Sequence, residues 1–140
     1  MSKVNVIYWS QTGNTAAMAE AVANGINAAG GEAVILDVSS ASVDDLKDAA
    51  AFAMGCPAMG AEVLEEGEMD PFVSEVEAIA AGKHIGLFGS YGWGDGEWMR
   101  TWEEDCAAAG INLVCKSVIC NEAPDEGAVE ECKVLGAALV

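Results

Sequence analysis

The sequence has few basic residues: six lysines and arginines stand against 23 aspartates and glutamates in 140 residues, a formal net charge of −17. A surface of that sign repels nucleic acid and anionic lipid, and no basic cluster in the chain offsets it. We therefore expect neither nucleic-acid nor membrane partners. The acidity favours either solubility or steering toward basic protein partners, and composition alone leaves both readings open.

Long apolar runs and paired cysteine motifs are also absent. No apolar run approaches the ~18 residues of a transmembrane helix, and the N-terminus lacks the pattern of a secretory signal, so we expect a cytoplasmic protein. The length fits a single domain over residues 1–140. The five cysteines form no C-x-x-C pair, which argues against a disulfide framework, an iron–sulfur centre or zinc. We expect no metal and buried free thiols.

Apolar runs that lack polar alternation take turns with helical patterns along the whole chain. This order predicts a five-stranded parallel sheet with helices on both faces, a three-layer α/β sandwich. Asp70 and Pro71 look like the cap and first residue of one helix, and Gly30, Gly82 and Gly110 look like helix ends. The predicted strands cover residues 4–9, 33–38, 50–56, 84–89 and 112–120.

The loop after the first strand is rich in hydroxyls and amides and leads directly into a helix. It reads Ser10-Gln11-Thr12-Gly13-Asn14-Thr15, and backbone N–H groups at such a helix start form an anion site. The loop lacks the first glycine and the lysine of a nucleoside triphosphate loop, so it suits one terminal phosphate. The alternative is an ordinary capped helix start.

Two further loops are expected at the same edge of the sheet, where ligands bind in open parallel sheets. Cys56-Pro57-Ala58-Met59-Gly60-Ala61-Glu62 has the spacing of a cysteine phosphatase, but Glu62 stands where that chemistry needs arginine. Ser90-Tyr91-Gly92-Trp93-Gly94 places a tryptophan between glycines, which is costly unless something flat covers it. We expect Trp98 and Trp102 to pack in the core instead. The three loops together describe a site for a flat, monophosphorylated ring.

The stretches IYWSQTGNT, GCPAMGAEVLEEGEMDPF and GLFGSYGWGDGEWM together resemble the flavodoxin family, specifically its short-chain type from anaerobic bacteria. The resemblance runs from Val4 through Trp102. It implies the strand order 2-1-3-4-5, non-covalent FMN as the cofactor, and a low-potential one-electron carrier rather than an enzyme. It also implies a monomer that exchanges electrons with ferredoxin-type donors and acceptors through their basic docking surfaces.

The resemblance also implies roles for individual residues. Met59, next to Ala58, would lie on the inner face of the flavin and Trp93 on its outer face. Glu62 would accept a hydrogen bond from the flavin N3–H, and the Gly60 carbonyl would meet the N5–H of the neutral semiquinone. Ala61 departs from the Asp, Asn or Ser that is more usual in relatives, and it lacks a side chain to support that turn. The remaining residues would hold the phosphate (Ser10, Gln11, Thr12, Gly13, Asn14 and Thr15) or wrap the ring (Ser90, Tyr91, Gly92 and Gly94).

Two other functions would share this fold, and the residues argue against both. A small FMN-dependent quinone-type reductase would share the fold, but the chain has no extra segment to bind a nicotinamide. A phosphoacceptor receiver domain needs Asp after the first and third strands, where Ser10 and Cys56 stand. The single histidine, His84, falls at the start of a strand, the opposite end of the sheet from a ligand site.

Overall fold

The computed structural model describes residues 3–59 and 63–140. Strands and helices alternate along the chain, and two 3-10 helices, Val38–Ser40 and Val43–Leu46, fill the connection before the third strand. The elements are β1 (Lys3–Tyr8), α1 (Asn14–Ala28), β2 (Glu32–Asp37), β3 (Ala51–Gly55), α2 (Met69–Ile79), β4 (His84–Tyr91), α3 (Glu97–Ala108), β5 (Asn112–Leu113), β6 (Val118–Asn121) and α4 (Glu126–Ala137).

The strands form one parallel sheet in the order β2-β1-β3-β4-β5, with β6 also paired to β4. The predicted α/β sandwich and its strand order are confirmed. The predicted count of five strands changes to six, because the single strand expected over residues 112–120 is split. Residues 114–117 span on this strand the distance that residues 86 and 87 span on β4, so the edge strand carries a two-residue bulge.

Helices cover both faces of the sheet, so each face has its own apolar core. Phe52, Met54, Trp98 and Trp102 belong to the cluster under α2 and α3, and Val6, Met18 and Leu135 belong to the cluster under α1 and α4. Trp98 and Trp102 are buried in the core, as predicted.

Helices α1 and α4 cross at glycines. A Cβ on Gly25 would lie 2.1 Å from the Lys133 carbonyl oxygen, and one on Gly136 would lie 2.1 Å from the Val22 carbonyl oxygen. Real Cβ atoms do not approach so closely, so these two glycines set the distance between the helices.

The start of α2 differs from the prediction. Asp70 lies inside the first turn, and the carboxylate of Glu65 caps the helix instead, accepting N–H groups from Gly67, Glu68 and Met69 at 2.7, 2.7 and 2.9 Å. Partial burial alone would raise the pKa of Glu65, but these three N–H groups outweigh it and hold that pKa below its ordinary value.

Other local predictions are confirmed. Gly30, Gly82 and Gly110 all have positive φ where helices end, and His84 is exposed at the start of β4. All five cysteines are free: Cys56, Cys106 and Cys132 are buried as expected, whereas Cys115 and Cys120 are only partly buried. In the described part of the chain, no helix combines the length and apolar character needed to cross a bilayer.

Candidate functional site

Loops that follow β1, β3, β4 and β6 meet at the carboxyl edge of the sheet and enclose a pocket of about 150 Å³. Ten of the sixteen predicted site residues line it. The structure therefore brings together loops that are far apart in sequence, at the edge where parallel sheets bind ligands. The pocket is lined by Ser10, Gln11, Thr12, Asn14, Thr15, Pro57, Ala58, Met59, Ser90, Tyr91, Gly92 and Glu122.

The loop after β1 is shaped by its own hydrogen bonds. The Ser10 hydroxyl oxygen accepts N–H groups from Gly13 at 3.1 Å and Ala16 at 3.4 Å. Gly13 has φ 95° and is the residue before α1, which has no acidic residue in its first turn. A left-handed residue at this point suits glycine, and the helix start presents N–H groups with no negative charge beside them. Ser10 thus serves the loop itself as well as the pocket.

Thr15 carries the clearest sign of a ligand. Its side chain is only 1% exposed, and its Oγ1 has no hydrogen-bond partner among the described residues. A buried hydroxyl without a partner costs free energy, yet this one lies in the pocket wall at the helix start. An anionic oxygen bound there would satisfy it.

The loop after β3 continues alongside β4 before it turns. The N–H of Cys56 donates to the Phe88 carbonyl at 3.1 Å, and that of Ala58 donates to the Ser90 carbonyl at 3.0 Å. Met59 and Val63 then pair through two backbone hydrogen bonds, of 2.9 and 3.0 Å. The predicted site residues between them, Gly60, Ala61 and Glu62, lie outside the described residues.

The loop after β4 presents a large aromatic side chain to solvent. Trp93 is 64% exposed, and it does not line the pocket, nor does Gly94, which has φ 86°. The Arg100 guanidinium on α3 holds the far end of this loop, with Nη1 3.0 Å from the Asp95 carbonyl and Nη2 3.0 Å from its carboxylate. Trp93 is therefore an exposed residue that directly follows Gly92, which lines the pocket.

The structure adds Pro57 and Glu122 to the pocket lining and gives Ser90, which also lines the pocket, a second contact. The Ser90 hydroxyl donates to the Glu122 carbonyl at 2.6 Å, and the Glu122 N–H donates to the Tyr91 carbonyl at 2.9 Å. These bonds hold Glu122 at φ 60°, a left-handed conformation that is rare for residues other than glycine. A polar residue directly after the last strand was the available signal for Glu122, and its backbone strain is invisible in the sequence.

Size and chemistry together fit a phosphate ester of a flat ring. The pocket is smaller than the ~300–1,000 Å³ of ordinary small-molecule sites, so it can take the phosphate end and leave the ring at the surface beside exposed Trp93. Its cation-free helix start and unpaired Thr15 hydroxyl suit one phosphate group. Within the described residues, no cluster of His, Cys, Asp or Glu is arranged to hold a metal ion.

Comparison with known proteins gives one consistent result. The family model described as flavodoxin matches residues 6–136. A flavodoxin of Clostridium beijerinckii is 44% identical over 133 residues, which cover 95% of this chain and 96% of that protein. The solution structure of two-electron-reduced Megasphaera elsdenii flavodoxin superposes with a TM-score of 0.89 at 41% identity, covering 97% of each chain. A flavodoxin from the domain Archaea gives a TM-score of 0.85 at 30% identity, covering 98% of this chain and 95% of that one.

Proposed function

Because this chain belongs to the flavodoxin family, whose members bind FMN and carry electrons between redox proteins, we propose that residues 10–15 bind the FMN phosphate. The observation that carries this assignment is the buried, unpartnered Thr15 hydroxyl at the start of α1. The backbone N–H groups of Thr12, Asn14 and Thr15 and the Thr12 hydroxyl would complete the anion site, while the Gly13 N–H donates to the Ser10 hydroxyl. When bound, FMN supplies the one-electron redox chemistry.

Membership in the family confirms the prediction of an electron carrier that binds FMN rather than an enzyme. The alternative, a quinone-type reductase, is not favoured. Within that function, we propose that residues 1–140 act as one domain and that the protein is a cytoplasmic monomer. We also propose that the reduction potential of the bound FMN for its second electron is low. The support for low potential is electrostatic, because carboxylates near an anionic reduced cofactor raise its free energy.

The ring would lie outside the narrow pocket, between side chains of two loops. Met59 reaches the pocket from the paired base of its loop, and exposed Trp93 can cover the opposite face by stacking. Ser90, Tyr91 and Gly92 would line the chain between ring and phosphate. Gly60, Ala61 and Glu62 keep the roles that family resemblance gives them, as proposals.

The distribution of charge supports partners with basic docking faces. Acidic side chains crowd the loops and helix starts at the pocket edge, and the cation there within the described residues, Arg100, is bound to Asp95. At the opposite edge of the sheet, Lys3 and Lys47 are paired with Glu32 and Asp44. The excess of carboxylates at the pocket edge would orient a basic ferredoxin-type donor or acceptor toward the flavin. The acidic residues at the pocket edge are Glu65, Glu66, Glu68, Asp95, Glu97, Glu122, Asp125 and Glu126.

A flavin titration of the apoprotein tests the site, with riboflavin as the matched ligand that lacks the phosphate. We expect FMN to bind at least ~100-fold more tightly, since hydrogen bonds to a charged group contribute ~1.5–3 kcal/mol each. Equal affinity for both would contradict the phosphate site, and no flavin binding would refute the whole proposal.

Stepwise anaerobic reduction of the FMN-loaded protein tests the carrier function. We expect two separate one-electron midpoint potentials, the second clearly lower than the first, and no steady turnover of NADPH. Turnover of NADPH with a quinone would instead favour the reductase. The rate of electron exchange with a basic redox partner should fall as salt is added. A rate that does not depend on salt would contradict docking through the acidic edge.

A further inference from the structure

The loop between β3 and α2 is fixed firmly at its first end. The Cys56 carbonyl accepts the buried indole N–H of Trp98 at 3.0 Å, and a Cβ on Gly89 would lie 2.2 Å from that same oxygen. Together with the backbone bonds from Cys56 and Ala58 to β4, these contacts make residues 56–58 a rigid extension of the sheet.

The second end of the loop is fixed at Glu65. Its carbonyl accepts the Asp70 N–H at 2.8 Å, and its carboxylate caps the start of α2. The segment that returns from Val63 is thus attached to a helix, whereas the outgoing segment is attached to the sheet.

The thiol of Cys56 joins these two ends. Its Sγ accepts the Glu65 N–H at 3.4 Å and lies 3.4 Å from the Pro57 carbonyl, to which it donates. The side chain is fully buried, and burial raises the pKa of the thiol to about 12, so it stays protonated and can donate and accept at once. Further along, two backbone hydrogen bonds between Met59 and Val63 join the outgoing and returning segments a second time.

We propose that Cys56 is a positioning residue of the flavin site, which acts by closing the base of the 57–64 loop. The thiol does not line the pocket. By holding the outgoing segment against the returning one, it sets the position from which Met59 reaches the pocket. This inference rests on the proposed function, because the 57–64 loop matters only if it holds the ring. Loss of the thiol should free the Glu65 amide and loosen the Met59 pair without disturbing the phosphate loop.

Three alanine variants separate this role from loss of packing. Cys106 in α3 and Cys132 in α4 are as deeply buried as Cys56, so Cys56→Ala, Cys106→Ala and Cys132→Ala remove similar buried volume. We expect Cys56→Ala alone to weaken FMN binding, by about fivefold, the equivalent of one net hydrogen bond. It alone should also change the gap between the two one-electron potentials, and Cys56→Ser should restore part of both.

Hydrogen exchange on the apoprotein distinguishes failure of this inference from failure of the proposed function. In Cys56→Ala we expect faster exchange at the Glu65 and Val63 amides relative to the two control variants, whether or not flavin binds. Unchanged exchange at both amides, or equal losses of FMN affinity in all three alanine variants, would overturn the proposal.

Discussion

Replacing Thr15 with valine should move two quantities in opposite directions. Valine keeps the shape of the side chain and removes the buried Oγ1 that has no partner in the described residues. Leaving such a group unsatisfied costs ~1–3 kcal/mol, so the Thr15→Val apoprotein should unfold at higher urea, with a gain in the free energy of unfolding at the lower end of that range. The same change should weaken FMN binding ~10- to 150-fold, because a hydrogen bond to a charged phosphate contributes ~1.5–3 kcal/mol.

Urea unfolding of the apoprotein, followed by circular dichroism, measures the first quantity, and quenching of flavin fluorescence measures the second. Thr101→Val on the exposed surface of α3 is the matched control and should change neither. An apoprotein destabilised by Thr15→Val, together with an FMN affinity within twofold of the parent, would refute the reasoning, since the hydroxyl would then serve the fold and not the ligand.

Three further predictions test the helix crossing, the helix cap and the exposed tryptophan. Gly136→Ala should lower the free energy of unfolding by about 2 kcal/mol or more in urea denaturation, because its Cβ would meet the Val22 carbonyl. Glu65→Gln should reduce the loss of the free energy of unfolding as pH falls. Folding lowers the pKa of Glu65, so the stability contributed by its carboxylate is present above about pH 4.3 and is lost as pH falls through the folded pKa. Trp93→Ala should leave apoprotein stability within about 0.5 kcal/mol and weaken FMN binding about tenfold in a fluorescence titration, because a stacking surface is lost.

Each of these variants has a control. Gly127→Ala in the same helix places its Cβ in ordinary contact, 3.5 Å from an Asp125 oxygen, and should stabilise α4; equal destabilisation by both alanines would contradict the crossing argument. If Glu20→Gln on the exposed side of α1 flattened the acid limb as much as Glu65→Gln, the cap would not be the cause. An unchanged FMN affinity in Trp93→Ala would remove this side chain from the site.

The sequence predicts those features that arise from hydrophobic pattern and local backbone chemistry. Apolar runs without alternation identify buried parallel strands, and glycines at helix ends are seen at Gly30, Gly82 and Gly110. The bulge at residues 114–117 was not predicted, although Lys116 and Ser117 interrupt the apolar run there. Two polar residues within a strand-like run do not show whether the pairing with β4 continues or slips. The cap of α2 was also not predicted. Asp70 and Pro71 have the right local pattern, but the carboxylate of Glu65 accepts the N–H groups at the start of the helix instead.

The candidate site was predictable to the extent that its residues stand in strand-end loops. Hydroxyls and amides at residues 10–15 indicate an anion site from spacing alone. Glu122 was not predictable in the same way, since its place depends on hydrogen bonds to Ser90 and Tyr91 that only the folded sheet creates. Ser90, predicted to wrap the ring, lines the pocket, and the sequence did not show that its hydroxyl also donates to the Glu122 carbonyl.

The pocket is assembled from segments that are far apart in sequence, which bears on when the cofactor can bind. Its walls come from segments between residue 10 and residue 122, and its last wall, at Glu122, is in place only when β6 has paired with β4. Such distant segments meet late, because their contacts require most of the chain to be ordered first. We therefore expect FMN to bind a chain that has already folded, so that its binding free energy adds to the stability of the whole domain rather than to that of any one loop.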